Sequence, residues 1–143
     1  MGNKAEEKQI NQVVLDDVST VYTIKNKRGK VLGEFAFRPS DTQIVERYEE
    51  VVKFFDHLQI PDNSYESIRA VEKQVIEKIG YLIGEEAANT FFNIIGPFSL
   101  LESGKFFVEE VLEAIAGVIE QEMEIRIKRM RRRVNKYSSK YHK

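Results

Sequence analysis

Residues 20–37 read TVYTIKNKRGKVLGEFAF. Tyr22 and Ile24 alternate on one arm, and Val31, Gly33, Phe35 and Phe37 on the other. Alternation at period two puts each set on one face of a sheet. Between the arms, Asn26 and Gly29 hold the first and last places of a four-residue turn, where each is favoured. The stretch predicts a β-hairpin. Everything downstream repeats at threes and fours instead, so the expected class is α+β, mainly α: an N-terminal hairpin, then about four helices, the last long and projecting.

Upstream of the hairpin, residues 1–12 are polar and read as a flexible N-terminus, while Val13, Val14, Leu15 and Val18 form a short strand or lead into one. Downstream, Pro39 closes the second arm, and Ser40 with Gln43 has the S-x-x-Q form of a capping box. The first helix is therefore expected over 41–58, with a stripe of Ile44, Val45, Tyr48, Val51, Val52, Phe55 and Leu58. Asn63 or Ser64 caps the second, which carries Ile68, Val71, Val75, Ile79 and Leu82 and ends at Gly84. A short third helix starts at Glu85-Glu86 and stops before Gly96-Pro97.

The last helix is expected over 104–137, with Ser103 as its cap. At about 1.5 Å per residue it is roughly 50 Å long, so its far half should project from the body. Its stripe runs through Val108, Leu112, Ile115, Ile119, Met123, Ile127, Met130, Val134 and Tyr137. Residues 13–137 are thus one α+β domain, and 138–143 a frayed basic end.

The chain's 143 residues, 42% hydrophobic and 31% charged, suit one globular domain. A net charge of −1 hides a division. Residues 1–125 hold thirteen Lys or Arg against all 23 Asp or Glu, a balance of −10, and residues 126–143 hold nine Lys or Arg with no acid. Such asymmetry points to a binding tail or to self-association by opposite charges. The absence of cysteine excludes disulfides, thiol catalysis and Cys-ligated zinc. No apolar run approaches the 18 or so residues that span a bilayer. The start MGNKAEEKQ lacks a signal peptide's apolar stretch, and Glu6 stands where a myristoylation motif wants Ser or Thr. A soluble, cytoplasmic protein is expected.

Catalytic patterns are scarce. His57 and His142 are the two histidines, and Phe54 stands where a di-iron motif needs Glu three residues before His57. His57 reads as a surface or helix-end residue. No phosphate loop, GxSxG or HExxH occurs, so no enzyme, cofactor or metal is expected. The unusual feature is apolar: Phe54-Phe55, Phe91-Phe92 and Phe106-Phe107, with FFNIIGPFSLL over 91–101. Neighbours on a helix point about 100° apart, so one ring of each pair can enter the core while the other faces elsewhere. All of this can be core. Alternatively, Phe91, Phe92, Ile95, Phe98, Leu101 and Phe106 line a groove for another protein's helix.

The basic end can be read three ways. Arg129, Arg131, Arg132, Arg133 and Lys136 accompany an apolar stripe containing Met130 and Val134, which suits a protein partner or self-association. A solvated helix end is the second reading, and non-specific nucleic-acid binding the third.

The order of elements, with VLGEFAFRPSD, YEEVVKFFDHL, FFNIIGPFSLLES, KFFVEEVLEAIAGVIEQ and NKYSSKY, resembles the small tail assembly chaperones of long-tailed, siphovirus-type phages and prophages of Gram-positive bacteria. The likeness spans residues 20–139. That family's ends often continue Lys-Tyr-Ser with Pro-Asn-Arg, and after Lys136-Tyr137-Ser138 this chain departs from it. The resemblance implies a non-enzymatic role in the host cytoplasm. The protein would coat the helical tape-measure protein, keep it soluble until tail-tube subunits polymerise, then leave, so that it is absent from the virion. Its partners would be the tape-measure protein and the tail-tube protein, and a frameshifted longer product is common in that family. Two other functions remain open beside it: a helical adaptor or regulator that oligomerises through its long last helix, and a nucleic-acid-binding accessory protein.

Overall fold

The computed structural model describes residues 11–141, with the backbone alone for Arg126 and residues 129–141. Two strands, β1 (Thr20–Lys25) and β2 (Val31–Phe37), pair antiparallel with Tyr22 opposite Phe35 and Ile24 opposite Gly33. The turn forms as the sequence predicts. The Gly29 N–H donates to the Asn26 carbonyl at 3.0 Å, and the Asn26 side chain accepts from Arg28 and Lys30. Gly29 takes φ +83°, which a Cβ would strain. Beyond Ile24 the register slips so that Lys25 meets Val31, leaving Leu32 as the extra residue of a bulge.

Four helices follow: α1 (Ile44–Asp56), α2 (Tyr65–Ile83), α3 (Glu85–Phe92) and α4 (Phe107–Tyr141). Ser64 caps α2, its hydroxyl accepting the Ser67 N–H at 3.2 Å, and Gly84 ends it at φ +101°. Ala87, Ala88 and Phe91 of α3 complete the layer that receives the hairpin. The inner face of the hairpin is an aromatic stack. Tyr22 lies 5.5 Å from Phe35, Phe35 lies 5.8 Å from Phe37, and Phe35 meets Phe91 of α3 at 4.8 Å. Ile79, Val75 and Val51 are fully buried beside Val108, Ile115 and Ile119 of α4. Among the described residues no polar or charged side chain is buried, so the core carries no desolvation penalty.

Several boundaries differ from expectation, each for a local reason. Val13–Leu15 form no strand. They are exposed, and Val18 turns the chain with φ +56°. Helix α1 starts three residues late, with Gln43 rather than Ser40 as the N-cap, because Asp41 takes the Gln43 N–H at 2.9 Å and holds a turn there. Helix α4 starts at Phe107, not Gly104. Gly104 is a turn residue at φ +87°, Ser103 accepts from Lys105 instead of capping, and Glu109 takes the Phe106 N–H at 2.7 Å. At the other end α4 continues through Tyr141, past the frayed end expected from 138, since no Pro or Gly follows Gly117. Its buried stripe uses Val111 in addition, and Leu112 is only partly covered. No described helix is long and apolar enough to cross a membrane.

Hairpin and α3 meet most tightly at Gly33, where a Cβ would come 3.0 Å from the Thr90 methyl. Thr90 cannot turn away freely, since its hydroxyl donates to the Glu86 carbonyl at 3.0 Å. Gly33→Ala should therefore lower stability by about 1 kcal/mol despite the entropy it saves. Thr90→Ser, which drops the methyl and keeps the hydroxyl, should restore most of that loss in the same chain. Urea midpoints of the two single variants and the double variant test this, and strictly additive losses would refute the close approach.

Candidate functional site

The segment between α3 and α4 is held largely by backbone hydrogen bonds. The first N–H groups of a helix need acceptors from outside it. Here Ser99 and Pro97 carbonyls accept from Phe107 and Val108, both at 2.9 Å. The Leu101 N–H donates to the Lys105 carbonyl at 2.9 Å, and Leu100 bridges Phe106 antiparallel, so these two side chains share one side. From beneath, the Glu72 carboxylate stands against the Gly96–Phe98 turn. The result is a rigid apolar ridge: Leu100 is 70% exposed and Phe106 39%, with Ile95 at 40% before the turn.

The residues singled out from sequence separate on this frame. Phe91 is not part of a surface: it is 7% exposed, lies on the inner face of α3 with Ala87 and Ala88, and receives the Phe35 ring. Phe92, further round the helix, is half-buried against Phe107 with ring centroids 6.1 Å apart. Phe98 is half-buried edge-on to Phe106 at 5.5 Å. Leu101 is half-buried, and Ile95 and Phe106 are exposed. The expected division of rings, one inward and one outward, holds best for Phe91-Phe92. It fails for Phe54-Phe55, both partly buried and edge-on to each other at 5.4 Å. Met130, Val134, Arg129, Arg131, Arg132, Arg133 and Lys136 sit on the α4 backbone, but their side chains lie outside the described residues, as does His142.

A second apolar surface was not anticipated. Between α1 and α4 runs an open cleft of about 630 Å³ floored by Val45, Tyr48, Ile119, Met123 and Ile127. Glu120 and Glu124 border it, and Ala116-Gly117 leave one end shallow. Burial, and secondarily the charge of Glu120, push the Tyr48 hydroxyl above its usual pKa. Tyr22 is raised in the same way by burial and then Glu122. Both shifts come first from burial, with a smaller contribution from a glutamate of α4. The available signal was the pair of small residues in mid-helix beside an apolar stripe, but the facing Val45 and Tyr48 emerge only from tertiary packing.

A third, more polar cleft of about 450 Å³ is bordered by Asp17, Arg38, Arg47 and Tyr81. Its cations are engaged. Arg38 donates to the Asp17 carboxylate at 2.9 Å and to the Asp17 carbonyl at 3.0 Å, while Arg47 lies over the Tyr81 ring at 5.6 Å and donates to Gln43. The arrangement is a clasp joining the entry and exit of the hairpin. His57 closes α1, its Nδ1 2.9 Å from the Lys53 carbonyl, which places it at the helix end as expected. Among the described residues no three His, Asp or Glu converge on a metal-sized site. Neither family models, curated proteins nor solved structures match this chain.

Two measurements follow from the clasp. Hydrogen bonds from Ser19, and then Arg38, lower the Asp17 carboxyl from 3.8 to about 2. Its contribution is therefore present above the higher value and is lost as pH falls through the lower one. Asp17→Asn should reduce the urea midpoint at neutral pH, and the gap from the parent should close as pH approaches 2. A gap independent of pH would show that the charge is not the cause. Val18, left-handed and β-branched, stores strain of about 1–2 kcal/mol. Val18→Asn should raise the thermal midpoint, because Asn tolerates that conformation and Val18 is 43% exposed.

Proposed function

We propose that this protein is a non-enzymatic phage tail assembly chaperone that binds and solubilises the tape-measure protein before tail-tube polymerisation. The observation that carries the proposal is the apolar ridge of Ile95, Leu100 and Phe106, held outward by a loop whose carbonyls cap α4. An exposed, rigid apolar ridge rimmed by charge suits the stripe of a long amphipathic helix. Lys105, paired with Glu113 at 2.8 Å, and Glu102 supply that rim. The family resemblance over residues 20–139 supports the same reading. The protein would act in the host cytoplasm and be absent from the finished particle.

Co-expression with a tape-measure-like helix that aggregates alone tests the proposal. The parent chain should keep that helix in the soluble fraction. Ile95→Glu with Leu100→Glu should return it to the pellet, at little folding cost because both sites are exposed. Val21→Glu, on the outer face of the hairpin, should leave the client soluble. Equal solubility with the folded ridge variant would remove the ridge from the function.

A further inference from the structure

Helix α4 sorts its charge by length. From Phe107 to Ile125 it has six Glu and no Lys or Arg, and from Arg126 to Tyr141 eight Lys or Arg and no acid. Like charges therefore recur at helical spacing within each half, as in Glu109–Glu113, Glu120–Glu124, Arg129–Arg133 and Arg132–Lys136. Such pairs destabilise a helix. The macrodipole favours this polarity, but only over the first and last turns. At the junction Glu122–Arg126 and Glu124–Lys128 are opposite in sign at the same spacing, and Lys105 pairs with Glu113. Further relief along each half would come from charges on another body.

The α1–α4 cleft offers the apolar half of the same contact. Met123 and Ile127 line it with Tyr48, Glu120 and Glu124 stand on its border, and Ile127 is 43% exposed. We propose that this cleft is occupied by the basic half of α4 from a second copy, the two helices lying antiparallel about a two-fold axis at Ile127. In that register Glu124 comes level with Met130 and Arg131 of the second copy, Arg131 being on the same flank of the stripe as Glu124, and Glu120 comes level with Val134. Ala116 and Gly117 face its Tyr137, and nothing lies within 4 Å of a Cβ built on Gly117, so a ring has room there.

The periodicity agrees with the placement. Ile127, Met130, Val134 and Tyr137 follow at intervals of three, four and three, one helical stripe in register with the apolar floor. The contact is isologous, so every acidic-to-basic pairing occurs twice. The helices overlap from about Glu113 to Tyr141, roughly 40 Å of shared length. A nucleic acid would neutralise the basic half alone and leave the cleft with its glutamates uncovered. The surface is also separate from the client ridge, lying about 20 Å further along α4 from Phe106 to Glu120. Failure of one proposal leaves the other standing.

Light scattering on the full chain at about 50 and 200 mM salt tests it, since a contact that buries a stripe survives screening that removes generic phosphate binding. The parent should show two chain masses at both salts. Glu124→Arg should reduce this to one chain mass, and so should Arg131→Glu, each with helical circular dichroism retained. An equimolar mixture of the two variants should return to two chain masses, because in the antiparallel register every facing pair is again opposite in sign. A monomeric parent, a dimer that survives either variant, or a mixture that stays monomeric would overturn the proposal. Tight nucleic-acid binding by a monomeric parent at the higher salt would assign the basic half to that ligand instead.

Discussion

The contact between Phe35 and Phe91, 4.8 Å between ring centroids, joins two elements that could not persist apart. A lone two-stranded hairpin is marginal in water, and a helix of eight residues is too short to repay its nucleation. Each supplies what the other lacks. The hairpin offers a flat aromatic face of Tyr22, Phe35 and Phe37, and α3 offers one buried ring flanked by Ala87 and Ala88, small enough to let the strands come close. Gly33 against Thr90 is the same economy of space two residue pairs away. Aromatic pairs add about 0.5–1.5 kcal/mol each beyond the area they bury. The stack is therefore worth several such increments at one seam.

Placing Phe91 inward decides what the rest of the segment can do. With Phe91 used by the core, Phe92 falls beside α4 and pairs with Phe107, and the chain must leave α3 across the start of α4. Its carbonyls at Pro97 and Ser99 then satisfy the first amides of α4. A loop tied by backbone bonds can leave Leu100 and Phe106 exposed without collapsing onto them. The apolar ridge is thus a consequence of how the hairpin is seated, although hairpin and ridge share no residue.

The hairpin, the four helices and most of their buried stripes were legible because two periods, near two and near 3.6, differ sharply and the punctuation agreed with them. Asn26, Gly29, Ser64 and Gly84 all act as their chemistry suggests. What was not legible lay where several local signals compete for one backbone group. Ser40 and Ser103 both look like caps, yet Asp41 and Glu109 take the nearby amides, and nothing in composition ranks a serine below a neighbouring carboxylate. Phe91 and Phe92 are chemically identical neighbours, so only the position of Phe35 separates them. The α1–α4 cleft belongs to no single segment, and Val18 adopts a conformation that β-branched residues ordinarily avoid.

Helix α4 is anchored in the core by its first half. Among the described residues its last buried side chain is Ile119, twelve residues past Phe107, while the helix itself continues to Tyr141. Nucleation is the costly step in helix formation, and it is met by Val108, Val111 and Ile115 in the core. Beyond Met123 each residue adds one hydrogen bond at the cost of fixing its own backbone, close to balance for Arg, Lys and Met. Against that balance stand the like-charge spacings of Arg129, Arg132, Arg133 and Lys136, worth a few tenths of a kcal/mol per pair. The two terms are of similar size. A charge of opposite sign laid along this half, wherever it comes from, therefore acts on the helix with more leverage than its own modest energy suggests.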